Sequence, residues 1–138
     1  MTNQLTMNVP AKPEFVGTVR MAIAHAASSA GFDIEAIDDI KVAVSEACTN
    51  IICHAHENAD FNYDVILDIA DNGLSITVKD KGVGFGLDSY VAPVPGESHG
   101  SGLGIFIIRA LMDEVDINSE PGTGTNILMT KYLRSKIA

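Results

Sequence analysis

Residues 62–70, Asn-Tyr-Asp-Val-Ile-Leu-Asp-Ile-Ala, and 74–79, Leu-Ser-Ile-Thr-Val-Lys, alternate apolar and polar side chains, and only Asp71-Asn72-Gly73 separates them. Such a pair reads as an antiparallel hairpin with one buried face, because successive strand side chains point to opposite sides and Asn-Gly is a strong turn signal. A hairpin alone does not hold that face out of water. The preceding residues supply the cover. From Phe15 to Ala30 the apolar residues Phe15, Val16, Val19, Ile23 and Ala27 recur at helical spacing, with Pro13 before them as a helix start and Gly31 after them as a C-cap. A second helix is predicted from near Asp33 to about Asn58, buried along Ile37, Ile40, Val44, Ala47, Cys48, Ile51 and Ile52. Asp33, Asp38 and Asp39 suit its positive N-terminal end.

Leu5, Met7 and Val9 predict an opening strand, Ile105 to Met112 a third helix, and Val115–Asn118 and Asn126–Leu133 two further strands joined by the turn Glu120-Pro-Gly-Thr-Gly. Strands paired as hairpins with helices grouped between them predict an α+β fold. Its form is a two-layer sandwich, a mixed β-sheet with helices on one face. Residues 1–138 are expected to form one domain, and 46% hydrophobic residues suffice for its core. Cys48, Met112 and Met129 read as core. Nine Lys+Arg against 18 Asp+Glu leave a net charge of −9, which repels a phosphodiester backbone and excludes non-specific nucleic-acid binding. No apolar run is long enough to span a bilayer, and the first residues lack the basic and apolar regions of a signal peptide, so a cytoplasmic protein without a membrane partner is expected. Cys48 and Cys53, five apart on one helix, are too distant to bridge and are expected to be reduced.

Glu46, Asn50 and His54 fall at i, i+4 and i+8 of the second helix and so share a face. A carboxylate one turn from a carboxamide suits a hard cation such as Mg²⁺, or a base beside such a ligand; the spacing also suits a solvated polar face. Asp80-Lys-Gly-Val-Gly-Phe follows a strand directly, placing an acceptor for an exocyclic amine beside Gly82 and Gly84, where backbone can approach a flat ligand; ordinary turns share this pattern. Gly100-Ser-Gly-Leu-Gly-Ile precedes the third helix and would present free N–H groups to phosphate oxygens, or simply loosen the start of that helix. Residues 80–104 carry seven of the twelve glycines and two prolines, the composition of a long functional loop. No Gly-x₄-Gly-Lys-Ser/Thr is present and the Gly-x-Gly follows no strand of a βαβ unit, which excludes the P-loop and dinucleotide-binding readings. His54 and His56 beside Cys53 lack a second ligand cluster, so they read as helix-end side chains rather than a zinc site.

Taken in order, the polar helix face, Asp-x-Gly-x-Gly, Gly-x-Gly-x-Gly and Gly122-Thr-Gly-Thr resemble the N, G1, G2 and G3 boxes of the GHKL ATPase superfamily. Asp39-Ile-Lys-Val-Ala-Val-Ser-Glu-Ala-Cys-Thr-Asn-Ile-Ile-Cys-His-Ala, Leu111-Met-Asp-Glu-Val, Met129-Thr-Lys-Tyr-Leu and Val9-Pro-Ala-Lys-Pro-Glu-Phe-Val-Gly resemble, more narrowly, the anti-sigma-factor serine kinases, over nearly the whole chain. That resemblance implies an ATP-dependent protein-serine kinase that sequesters an alternative sigma factor and phosphorylates a serine of its anti-anti-sigma antagonist. It implies ATP and Mg²⁺ as cofactors and a homodimer. By position, Glu46 would be the catalytic base or orienting acid and Asn50 the Mg²⁺ ligand. Asp80 would accept from the adenine amine over Gly82 and Gly84. Gly100, Gly102, Leu103 and Gly104 would face the phosphates, Thr125 would reach the adenine, and residues 85–99 would form the lid. Gly100 stands where some relatives carry an arginine, with Lys81 and His99 as substitute cations. The alternative is therefore a catalytically inactive, nucleotide-gated module that sequesters sigma. Arg20 and the exposed face of the first helix are the expected docking surface, and Asp113-Glu-Val-Asp reads as a solvated start to a strand before it.

Overall fold

The computed structural model describes residues 3–53, 61–80, 100–120 and 124–134. Its strands are β1 (Asn3–Pro10), β2 (Asn62–Ala70), β3 (Gly73–Lys79), β4 (Glu114–Glu120) and β5 (Gly124–Tyr132); its helices are α1 (Val16–Ala30), α2 (Ile34–Cys53) and α3 (Gly100–Leu111). A short 3₁₀ turn, Pro13–Phe15, leads into α1. The sheet order is β1-β2-β3-β5-β4. Every pairing is antiparallel, so the sheet expected to be mixed is antiparallel throughout the described strands. The reason is the crossover: α3 and β4 carry the chain past β3, and β4 then folds back onto β5, which fills the gap in the reverse direction.

The two-layer sandwich with helices on one face follows from strand parity. Val65, Leu67, Ile76, Val78, Ile127 and Met129 are all buried, and the register places Val65 beside Val78 beside Ile127, and Leu67 beside Ile76 beside Met129. These rows meet Val19, Ile23 and Ala27 of α1 and Ile40, Val44, Ala47 and Ile51 of α2 in one core. The opposite face carries polar ladders: Gln4 Nε2 donates to Asp68, Asn8 Nδ2 to Asp64, and the Ser75 and Thr130 hydroxyls lie 3.2 Å apart. Met112 and Met129 are buried as expected.

Local chemistry sets the helix ends. Gly31 closes α1 at φ 105°, with its N–H on Ser28 O and the Phe32 N–H on Ala27 O, the paired bonds of a Schellman cap. Asp33 then caps α2, its Oδ1 accepting from the Ala36 N–H at 2.8 Å. The β2–β3 hairpin forms, but Ala70 pairs with Gly73, so Asp71 and Asn72 are the turn and Gly73 already belongs to the strand. Gly73 is required by a neighbour instead. A Cβ there would collide with the Lys131 carbonyl oxygen and come within 2.9 Å of Tyr132 Cα on β5.

Cys48 and Cys53 are both free thiols, the first buried and the second exposed. Burial pushes the Cys48 thiol up from 9.0 to about 11, opposed weakly by the Tyr63 hydroxyl. Tyr63 is pushed up as well, mainly by burial and then by the thiol; the two groups face each other without good hydrogen-bond geometry. His54, His56 and the predicted end of the second helix lie outside the described residues.

Two outcomes are expected. Gly73→Ala should lower stability by about 1–3 kcal/mol, because backbone rather than a movable side chain must yield, and a urea midpoint equal to the parent's would refute this. The Cys48 thiol, raised in the fold, contributes stability that is complete below pH 9.0 and lost as pH rises toward about 11. Unfolding free energy measured across that interval should therefore fall, and fall less in Cys48→Ala.

Candidate functional site

The site is best located from the opposite end of the sandwich. Lys131 on β5 donates to Leu111 O, at the C-terminal end of α3, at 2.6 Å, and pairs with Asp39 on the second turn of α2 at 3.5 Å. α2 and α3 are therefore antiparallel, with Asp39 beside the end of α3 and Glu46 beside Gly104 near its start. From Asp39, α2 rises about 16 Å to Asn50 at 1.5 Å per residue. From Lys131, β5 runs back about 20 Å to Thr125 at 3.3 Å per residue. Both lead away from the same ion pair toward the end of the sheet where β3 finishes at Lys79 and Asp80 follows.

There the structure brings together Glu46, Asn50, Asp80, Gly104 and Thr125. The Asp80 N–H donates to Thr125 O at 3.0 Å, extending the β3–β5 ladder by one residue. Asp80 is 6% exposed and Thr125 2%, and both have the parity of the buried residues Val78 and Ile127, so their side chains are on the helix-facing side of the sheet. Asn50, also 2% exposed, is the buried polar residue of α2, which removes the solvated-face reading for that position. Glu46 is half-buried on the flank toward α3.

The third helix begins earlier than its periodicity predicts, at Gly100 rather than Ile105, because the apolar pattern starts only where the helix meets the core. Gly100 and Gly102 thus lie in the first turn rather than ahead of it. The N–H groups lacking an acceptor within the helix are those of residues 100–102; the N–H of Leu103, whose side chain is exposed, is the first to be bonded within it. Gly104 falls beyond that set, since in a regular helix its N–H meets the Gly100 carbonyl. It does something else. A Cβ at Gly104 would lie 2.8 Å from Glu46 Oε2, so the missing side chain is the space that the carboxylate occupies.

Gly82, Gly84, Lys81, His99 and the predicted lid, 85–99, lie outside the described residues. The expected docking residue Arg20 is half-buried, with Nη1 donating to Ser45 Oγ at 3.3 Å across the α1–α2 contact. Asp113 and Glu114 are exposed, as predicted, and also accept from Tyr132: its N–H donates to Asp113 Oδ2 at 2.7 Å and its hydroxyl to Glu114, which raises the phenol's pKa. A cleft of about 480 Å³ between Phe32, Asp33, Asp39, Lys131 and Leu133 marks the clasped end, away from the candidate site. Sequence reasoning missed Ser119, whose hydroxyl lies 2.7 Å from that of Thr125; a polar residue at an inward position after Val115 and Ile117 was its signal.

Residues 9–131 match the family described as Histidine kinase-like ATPase domain. A serine-protein kinase RsbW of Oceanobacillus iheyensis is 38% identical over 94% of this chain and 86% of its own length. One from Listeria innocua is 37% identical over 99% and 91%. The fold is shared with the crystal structure of the RsbU and RsbW domains of a Mycobacterium tuberculosis protein, at TM-score 0.67 and 24% identity, where this chain spans 31% of the longer one. It is shared also with a histidine kinase domain from Erythrobacter litoralis, at TM-score 0.56 and 23% identity, over 60% of that chain. The chain belongs to the histidine kinase-like ATPase family and, within it, to the group of RsbW serine-protein kinases.

Gly104→Ala should separate fold from chemistry. Alanine favours a helix interior over glycine by up to about 1 kcal/mol, so stability should hold or rise, while displacement of the Glu46 carboxylate should slow phosphate transfer by at least about tenfold. Parental turnover in this variant would show that the Glu46–Gly104 contact is incidental.

Proposed function

We propose that this chain is an ATP-dependent protein-serine kinase that sequesters an alternative sigma factor of RNA polymerase and phosphorylates a serine of the anti-anti-sigma protein competing for it. The observation that carries the reading is the Glu46 carboxylate held against Gly104 at the start of α3, with buried Asn50 one turn further along the same helix. The relatives named serine-protein kinase RsbW support the activity, and their similarity extends over most of this chain.

Each described residue then has a task that its position suits, and Gly82 and Gly84 take theirs from the family resemblance. Asp80 accepts from the adenine amine and Thr125 reaches the same base. Gly82 and Gly84 shape the floor beneath it, and the amides of the first turn of α3 meet the phosphates, where the positive end of the helix dipole lies. Glu46 takes the proton of the attacking serine hydroxyl, or orients that hydroxyl, as its oxygen bonds to the γ-phosphorus and the bond to the β-phosphate oxygen breaks.

The donor set fits Mg²⁺ carried with a nucleotide. Asn50 offers a hard carboxamide oxygen beside the Glu46 carboxylate, whereas no group of three or more His, Cys, Asp or Glu among the described residues forms a metal site by itself. Mg²⁺ is commonly held by one or two protein oxygens together with substrate phosphates and water. Asn50 would hold it, and the ion would neutralise charge on the phosphates.

Residues 1–138 act as one unit, with 85–99 as the lid over the nucleotide. The working form is a cytoplasmic homodimer that contacts neither nucleic acid nor membrane; among the described residues no helix is long and apolar enough to cross one. A second reading, nucleotide-gated sequestration without transfer, is favoured by Gly100 at the first position of α3, which brings no charge to the phosphates.

Incubation with γ-labelled ATP, Mg²⁺ and the antagonist from the same genome separates the two. A single phosphoserine on the antagonist is expected. Glu46→Gln should cut transfer by about 10²-fold or more with nucleotide affinity nearly intact, because the base acts in the transition state. Asn50→Ala should weaken Mg²⁺-dependent nucleotide binding. Transfer at the parental rate by Glu46→Gln removes the assigned role; ATP binding without phosphoserine favours sequestration alone.

A further inference from the structure

Three buried polar residues stand in one row across the open end of the sheet. Asp80 directly follows β3, Thr125 is the second residue of β5 and Ser119 lies near the end of β4, and they are 6%, 2% and 2% exposed. The backbone ties the first pair through the Asp80 N–H on Thr125 O, and the β4–β5 register sets Ser119 opposite Thr125. The Ser119 and Thr125 hydroxyls are 2.7 Å apart. Ser119 continues the inward stripe of Val115 and Ile117, both packed against the core. An apolar residue would be the ordinary choice there, and a hydroxyl is costly without a partner.

A hydroxyl has one proton to donate and lone pairs that accept. In a serine–threonine pair, whichever hydroxyl donates to the other leaves its partner's proton for a third group. We infer that Ser119 is a positioning residue for base recognition: it donates to Thr125 Oγ1 and so directs the Thr125 proton toward the ligand. This rests on the reading of Asp80 and Thr125 as the base-contacting pair. An acceptor at Asp80 beside a donor at Thr125 complements the adenine edge, where the N6 amine donates and N1 accepts. Guanine presents an O6 acceptor and an N1–H donor, the reverse at both positions. Sites built to pair buried polar groups reject a ligand that leaves them unpaired. Ser119 touches no ligand in this scheme; it sets the sense of one of the two bonds that separate the purines.

The test is the dissociation constant of the full chain for Mg²⁺–ATP and Mg²⁺–GTP by calorimetry, in the parent, Ser119→Ala and Ser119→Thr, with a urea midpoint for each. Ser119→Ala should weaken ATP about fivefold, the scale of one neutral hydrogen bond, and leave GTP unchanged, so the ratio of affinities falls by the same factor. Ser119→Thr, which keeps the hydroxyl, should restore it. A parallel loss for both nucleotides marks a merely structural residue and overturns the inference, as does a ratio equal to the parent's. If alanine prevents folding, Ser119→Cys fills the same space with a weak donor and is expected to lower the ratio in the same sense. A parent that does not discriminate between the nucleotides overturns the Asp80–Thr125 reading itself; a parent that does, beside an equally selective Ser119→Ala, overturns only the role of Ser119.

Discussion

One buried ammonium group ties three elements of this fold together. Lys131, 7% exposed, meets the last carbonyl of α3 and the Asp39 carboxylate of α2 while its backbone sits in β5. A charge removed from water is tolerable only when paired and hydrogen-bonded, so these partners are conditions of burying it rather than additions. A cation at the end of α3 also complements the negative pole of the helix. With one end held, α2 and α3 have a defined axial offset, and Glu46 and Gly104 come level at the other end.

The two ends of the sandwich differ in how their polar groups are placed. At the clasped end the Tyr132 N–H and hydroxyl meet Asp113 and Glu114, and Asp33 caps α2. At the other end Glu46, Asn50, Asp80, Ser119 and Thr125 gather between helix layer and sheet, the site proposed here for the nucleotide. Core packing holds them there. The rows of valine, isoleucine, leucine and methionine side chains end two residues short of Asp80 and Thr125 on their strands, so strand parity aims these two side chains into the sandwich interior.

Much of this was legible in the residues. Period two from 62 to 79 gave the hairpin, and the three- and four-residue spacing gave α1 and most of α2, because each depends on neighbours a few positions away. Glu46 and Asn50 were legible as a pair because i and i+4 always share a helix face. Gly73 and Gly104 were legible only as glycines. Gly73 reads as turn chemistry and proves to be clearance for β5; Gly104 reads as helix-start chemistry and proves to be clearance for Glu46. Both requirements come from residues about 58 positions away along the chain, and no local pattern records them. The start of α3 was misplaced for a related reason: its glycine-rich first turn carries no apolar period.

The sequence by itself determined which segments become strands and helices, that one face of each must be buried, and which chemical groups are available, since these follow from backbone preference and side-chain polarity. The tertiary structure alone decided how those groups meet. The antiparallel order β1-β2-β3-β5-β4 places Asp80 beside Thr125 and Thr125 beside Ser119, and the antiparallel pairing of α2 with α3 sets Glu46 against Gly104. Hydrogen bonds and steric clearance act over a few ångströms in space whatever the separation in sequence, so only the folded chain brings these groups within their reach.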